Sequence, residues 1–315
     1  MNATLCADDG RAASPPFEGA VAGTRLQGLQ LTLDVDARWH AGVQQLFETF
    51  HPGPSIGTAR ATAHAVLGRT DRPRLAEAPD RPFFRATAGD SVLRDQSHAW
   101  DAELGLGPRR LDASFALRDV PLLRDHPFEQ AFMRELVSSA LRVTLGSAAP
   151  LADALLVHGA ALVEPASGMA VLFLGPSGAG KTTMARRLPG WQVLADDTVW
   201  LARGDGGWVV SGTPLRGKEG NPRSGTPVAV SAVATLVPAA PALSVTPLTE
   251  ADAMRELLAR IFWCVADARL EAQLVDVAHA VVATLPSVRL MSSLAHDVAP
   301  AARELASLAR PRVAP

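Results

Sequence analysis

Apolar and polar positions along this chain alternate in several distinct rhythms. From Leu26 to Val35 the pattern is strict alternation, which predicts one strand with a single buried face. Residues 51–95 are mixed, with strand-like pieces among Pro and Gly. From Phe128 to Leu145 the period lengthens. Phe132, Leu136, Ala140 and Val143 share one face, while Arg134, Glu135 and Arg142 lie elsewhere, so an amphipathic helix ending at Gly146 is expected. Leu155–Val163 and Met169–Leu174 are apolar runs of strand length, joined by Pro165-Ala166-Ser167-Gly168, which predicts a hairpin. Helix formers fill Thr182–Leu188 up to Pro189. Further strands are expected at 193–195, 208–211, 228–237 and 287–291, helices at 251–265 and 268–285, and a loop at 212–227.

Length and composition narrow the field. The 315 residues, 48% hydrophobic, suffice for one large domain or two ordinary ones. The pattern divides them into a polar N-terminal tail (1–24), an N-terminal α/β region (25–147) and a C-terminal region (148–315). A net charge of −2 creates no global field favouring nucleic acid or an anionic membrane. No apolar run approaches the roughly 18 residues needed to span a bilayer, and the first residues lack the pattern of a signal peptide. Cys6 and Cys264 are the only cysteines, too few for a disulfide framework. These features fit a cytoplasmic protein. Arg69, Arg72, Arg74, Arg81 and Arg85 are a solvated face or a substrate-binding patch.

The chemistry enters at Gly175-Pro176-Ser177-Gly178-Ala179-Gly180-Lys181-Thr182. The spacing fits G-x-x-x-x-G-K-[ST], the phosphate-binding loop, and it stands between an apolar strand and a helix as that motif requires. Successive backbone N–H groups and the helix start cradle phosphate oxygens. Lys181 reaches the β- and γ-phosphates and the Thr182 hydroxyl binds Mg²⁺. Thr183 continues the loop into the helix. A nucleotide and Mg²⁺ are therefore the expected ligands of the loop.

Companion residues point to a reaction. Asp196 and Asp197 follow Lys181 by 15 and 16 residues, at the end of a short apolar strand. One carboxylate there can hold Mg²⁺ while the other takes a proton from an acceptor hydroxyl. His158 precedes Lys181 by 23 residues. It is either a hydrogen-bonded core histidine or a ring that orients Asp196 or tunes its pKa. Arg216, Lys218 and Glu219 lie in a glycine-bracketed loop; Glu219 offers Mg²⁺ a hard oxygen donor, and either cation can neutralise a transferring phosphoryl group. An L-S-G-G-Q-like segment and an N-K-x-D-like segment are both missing, which argues against a transport ATPase and a GTPase. Scattered basic residues without interleaved aromatics argue against nucleic-acid binding.

The order His158-Gly159 on an apolar strand, hairpin, G-P-S-G-A-G-K-T, short helix, then L-A-D-D resembles the C-terminal catalytic domain of HPr kinase/phosphorylase and the HPr-kinase-like proteins. Some of those relatives accompany ribosomally made peptides, lasso peptides among them, and phosphorylate a peptide serine. The resemblance covers residues 150–240 well. The elements up to residue 310 agree in order only, and residues 1–145 show no match. It implies a P-loop-containing, phosphoenolpyruvate-carboxykinase-like mixed α/β core. It further implies triphosphate binding by Gly175, Ser177, Gly178, Gly180 and Lys181, Mg²⁺ on Thr182, and Asp196 as general base with Asp197 as its acidic neighbour and His158 near it; Asp197 and Glu219 are the carboxylates expected to share the metal. The bifunctional enzymes carry an E-L-R-G-L-G-like segment, where this chain has P-L-R-G-K-E-G with Glu219 displaced. That departure implies a kinase without phosphorylase activity.

The expected activity is ATP-dependent phosphorylation of a Ser or Thr hydroxyl on a peptide or small protein. Two other readings stand beside it. One keeps the nucleotide but takes a small-molecule hydroxyl or a carboxykinase-type reaction. The other is an ATP-binding accessory of a biosynthetic assembly that transfers nothing. Relatives that form hexamers leave room for a homo-oligomer.

Overall fold

The computed structural model describes residues 19–48, 50–53, 58–70, 84–86, 92–96, 100–118, 127–215 and 223–308. The first half runs β1 (Gly19–Leu26), β2 (Leu29–Asp36), α1 (His40–Glu48), β3 (Phe50–His51), β4 (Ala61–Thr70), β5 (Phe84–Ala86), β6 (Val92–Gln96), β7 (Trp100–Leu106), β8 (Arg110–Arg118) and α2 (Glu129–Ala148). The second half runs β9 (Ala154–Val163), β10 (Ala170–Leu174), α3 (Lys181–Arg187), β11 (Gln192–Ala195), β12 (Thr198–Gly204), β13 (Gly207–Gly212), β14 (Arg223–Ser224) and β15 (Val228–Val237). It ends with β16 (Ser244–Pro247), α4 (Glu250–Leu258), β17 (Val265–Ala266), α5 (Ala268–Thr284), β18 (Ser287–Met291) and α6 (Ala299–Ser307). The protein is thus mixed α/β, with six α-helices among the described residues.

An eight-stranded sheet, ordered β1-β2-β4-β8-β7-β6-β5-β17, organises the first half. Its inner face is read straight from the alternation: Leu29, Leu31, Leu33 and Val35 are buried while their neighbours are partly exposed. The alternating run begins differently from the single strand expected. Gly28, at φ +80°, turns the chain between Leu26 and Leu29, so Leu26 closes β1 and the strand proper starts at Leu29. Residues 19–24, assigned to the tail from sequence, form part of β1 and pair with β2.

Helix α2 also departs from expectation at one end. It passes through Gly146 to Ala148 instead of stopping there. A Cβ at 146 would lie 3.0 Å from the Phe262 carbonyl oxygen, so this glycine permits close backbone approach within the helix. Leu136, Ala140 and Val143 are buried as the helical period requires, whereas Phe132 is only partly buried.

The second sheet has the order β10-β9-β12-β13-β15-β18-β16, with β11 also on β9 and a further parallel pairing of β10 with β15. Strand β10 is therefore flanked on both edges and buried along its whole length. Its alternate residues enter two cores. Leu172 and Leu174 pack with Leu274 and Val281 of α5, and Val171 and Phe173 with Met184 of α3 and Leu305 of α6. This two-sided burial explains a continuous apolar run where an alternating one would mark a half-exposed strand.

The 251–265 segment is a helix only to Leu258. Beyond it, Ile261 bridges to Val157 and the Phe262 amide donates to the Leu156 carbonyl at 2.9 Å. Pairing to β9 outcompetes further helix here, and Val265–Ala266 then joins β5 of the first sheet. The halves are also tied by the Trp200 indole N–H donating to the Gln27 carbonyl (3.0 Å) and by buried Arg223 donating to the Leu46 carbonyl (2.8 Å).

Candidate functional site

Strand β9 is the frame of the site. On one edge Leu174, the last residue of β10, pairs with Gly159. On the other, β11 and β12 run end to end, and Thr198 pairs with His158. The link between them, Asp196-Asp197, therefore falls level with the point where β10 gives way to the glycine loop. The Gly159 amide donates to the Asp197 carbonyl at 3.0 Å, which holds the link against β9. Three segments far apart in sequence meet at one end of the sheet because their registers agree.

The loop from Gly175 to Gly180 opens at this level and leads into the seven-residue helix α3. Gly175 and Gly180 have φ of +156° and +95°, conformations that L side chains rarely adopt. A Cβ on Gly175 would approach the Ala179 side chain to 2.7 Å, so the tight start of the loop requires glycine. Lys181 is buried, and its ammonium donates to the carbonyls of Gly175 (2.8 Å) and Pro176 (3.0 Å). The ammonium is thereby folded back across the loop.

A cavity of about 220 Å³ lies between these elements, lined by His158, Ser177, Gly178, Gly180, Lys181, Thr182, Thr183, Asp196 and Asp197. Asp196 is buried. Asp197 is partly exposed and accepts from the Thr198 hydroxyl at 3.0 Å. Thus nine of the residues singled out from sequence line one space, while Gly175, Pro176 and Ala179 of the same loop are not among its lining residues. Glu219, offered as a metal ligand, lies outside the described residues, as do Arg216 and Lys218. Of the arginines offered as a substrate patch, Arg69 is exposed on β4, while Arg72, Arg74 and Arg81 lie outside the described residues.

His158 is neither solvent-exposed nor sealed in the core. Its Nδ1 lies 3.1 Å from the Asp197 carbonyl oxygen and 3.5 Å from Oδ1 of the same residue. A carbonyl can only accept, so Nδ1 carries the hydrogen and, in the neutral ring, Nε2 is left as an acceptor. Burial holds the imidazole pKa below its ordinary value, the positive charge of Lys181 adds to that, and Asp197 opposes it. Arg260 also lowers it. Sequence reading missed this arginine, which sits at the end of the α4 turn. Its carbonyl accepts from the His158 amide at 2.7 Å, and only its position beside β9, invisible in the local pattern, brings its charge to the site.

The depressed pKa has a measurable consequence. Between the ordinary value near 6.5 and the lower folded value, the unfolded chain binds a proton that the folded chain does not. Stability contributed by neutral His158 is therefore complete above that window and is lost as pH falls through it. Thermal unfolding of ligand-free protein from pH 7.5 to 5.5 should show a Tm that falls less steeply in His158→Gln than in wild type. Parallel curves would contradict the assignment of a buried, neutral ring.

A mixed α/β protein with a glycine phosphate-loop motif and an acidic pair on one cavity is the class these features define. The family model of the SynChlorMet cassette protein ScmC matches residues 128–294, more than half of the chain, and the chain belongs to that family. The match takes in α2, the glycine loop, His158, the Asp pair and Arg260. No curated protein matches the sequence.

Proposed function

We propose that this protein is an ATP-dependent, HPr-kinase-like kinase that transfers the γ-phosphate to a Ser or Thr hydroxyl of a peptide or small protein. The observation that carries this reading is the convergence of the glycine loop, Lys181, Asp196, Asp197 and His158 on one cavity. A phosphate loop by itself accounts for nucleotide binding. The buried carboxylate of Asp196, facing the same space, supplies what a transfer to an alcohol needs in addition.

In this reading the acceptor oxygen attacks the γ-phosphorus, the bond to the β,γ-bridging oxygen breaks, and ADP leaves. The hydroxyl proton passes to the Asp196 carboxylate. Lys181 moves from the Gly175 and Pro176 carbonyls onto the β- and γ-phosphate oxygens, where its charge offsets the charge spreading there. The Thr182 hydroxyl and Asp197 carboxylate are hard oxygen donors on the same cavity. That set fits Mg²⁺, which takes one or two protein ligands together with substrate phosphates and supplies neutralisation of phosphate charge. His158, hydrogen-bonded to the Asp197 carbonyl, is a positioning residue for that carboxylate. Arg260, bonded through its carbonyl to the His158 amide, adds positive charge that is felt at that ring.

The same proposal includes a phosphoenolpyruvate-carboxykinase-like core. Its support is the order β9, hairpin, β10, glycine loop, α3, β11 and the Asp pair. The family's description as a cassette protein favours an acceptor encoded beside it. The deciding experiment is transfer from [γ-³²P]ATP with Mg²⁺ to serine-ended peptides, internal-serine peptides and free hydroxyl metabolites in parallel. Label on peptides is expected. Label on a metabolite alone would replace the acceptor class, and ATP binding without transfer or hydrolysis would favour a non-catalytic accessory.

A further inference from the structure

A second and larger cavity, about 580 Å³, opens on the other flank of the glycine loop. It shares Gly178, Gly180 and Thr183 with the phosphate cavity, so the two are neighbours across the loop. Their linings differ in character. His158, Lys181, Asp196 and Asp197 line only the smaller space. Met184 and Arg187 of α3, Leu236 of β15, and Ala239, Ser293 and Leu294 from the turns beyond β15 and β18 line only the larger.

The walls of the larger cavity are tied together. The Ala240 amide donates to the Ser292 carbonyl (3.2 Å) and the Ser292 amide to the Val237 carbonyl (3.1 Å), joining the two turns. Arg187 donates to the carbonyls of Ser293 (3.1 Å) and His296, which fastens the second turn to α3. The Ser293 amide donates to Nδ1 of His296 at 3.0 Å, closing that turn on itself. Its volume falls within the range of roughly 300–1,000 Å³ common to preformed small-molecule sites. At its rim Leu294 is 81% exposed, a large apolar side chain held in water by a tethered turn.

We propose that the nucleoside of the bound triphosphate occupies this cavity, with its base against Met184, Leu236 and Leu294; this rests on the triphosphate-binding reading of the loop. The orientation follows from charge. A nucleoside triphosphate is a polyanion at one end and a flat, largely apolar heterocycle at the other. The ammonium of Lys181, the one Lys or Arg charge among the residues lining the smaller cavity, draws the terminal phosphates to the His158 side. The α-phosphate end then points across Gly178 and Thr183, toward the apolar cavity. The acceptor hydroxyl is left to approach from the side of Asp196, His158 and Arg260. Exposed Leu294 gains a partner when the base covers it.

Isothermal titration with Mg²⁺, using ATP and inorganic tripolyphosphate as separate probes, tests this on the full chain. Ala295→Trp fills the cavity mouth from an exposed position, and Leu294→Asp places a charge at its rim; both sites are exposed, so the fold should survive. Wild type is expected to bind ATP at least about tenfold more tightly than tripolyphosphate, and each variant to lose about tenfold or more for ATP alone. Equal affinity of the two probes for wild type would overturn the proposal, as would unchanged ATP affinity in both variants. Unchanged ATP affinity with a raised KM for the acceptor peptide would overturn it and assign the cavity to the acceptor instead. If neither probe binds wild type, the triphosphate reading fails and takes this one with it.

Discussion

Lys181→Ala is expected to abolish measurable phosphoryl transfer, lowering kcat by about 10²–10³-fold or more, the range seen when a single preorganised charge-stabilising donor is removed. The reason lies in where the ammonium is held. It is buried, it sits over the glycine loop within hydrogen-bond reach of the Gly175 and Pro176 carbonyls, and its charge is felt at His158. Among the described residues that line the cavity, Lys181 carries the one Lys or Arg charge. ATP affinity should fall as well, because the β- and γ-phosphates lose their counter-charge. Steady-state transfer and ATP titration check both effects, and circular dichroism checks that the fold persists. Retention of near-normal transfer would remove the loop from the chemistry.

Asp196→Asn is expected to lower kcat by about 10²–10⁴-fold, the usual contribution of a general base, while leaving ATP binding close to wild type. The substitution preserves shape and removes only the ability to take a proton. The same change at Asp197 should instead raise the Mg²⁺ concentration needed for half-maximal rate, since that carboxylate is the more exposed of the pair and touches Thr198 and His158. The pair of variants separates the two roles. If Asp196→Asn unfolds the protein, the buried carboxylate is structural. If Asp196→Asn turns over normally, another group accepts the proton.

Much of the candidate site is legible in the sequence because its parts are local. The glycine loop is defined by eight consecutive residues, and its demand for left-handed backbone at Gly180 is written in the residue type. The strand before it declared itself through uninterrupted apolarity. The 228–237 and 287–291 strands match their expected bounds although Ser231, Thr235 and Arg289 interrupt their apolar runs. The errors also have local causes. In sequence Gly28 is one more position in an alternating strand, yet in the fold it turns the chain. Gly146 has the signature of a helix stop, yet α2 runs through it and the Phe262 backbone approaches it closely. A glycine's role depends on what approaches it, and that information is not in the neighbouring residues.

By itself, the sequence singled out the candidate residues: a loop with the phosphate-binding spacing, a lysine, two adjacent carboxylates and a histidine, each recognisable by type and short-range spacing. Only the tertiary structure decided that they share one space. Strand β9 aligns β10 on one edge with β11 and β12 on the other, and hydrogen-bond register between strands sets that alignment. The structure also brought Arg260 to His158 and joined the β15 and β18 turns into the wall of a second cavity. Those contacts link residues far apart along the chain, and their geometry emerges only when the two apolar faces of the sheet are buried together.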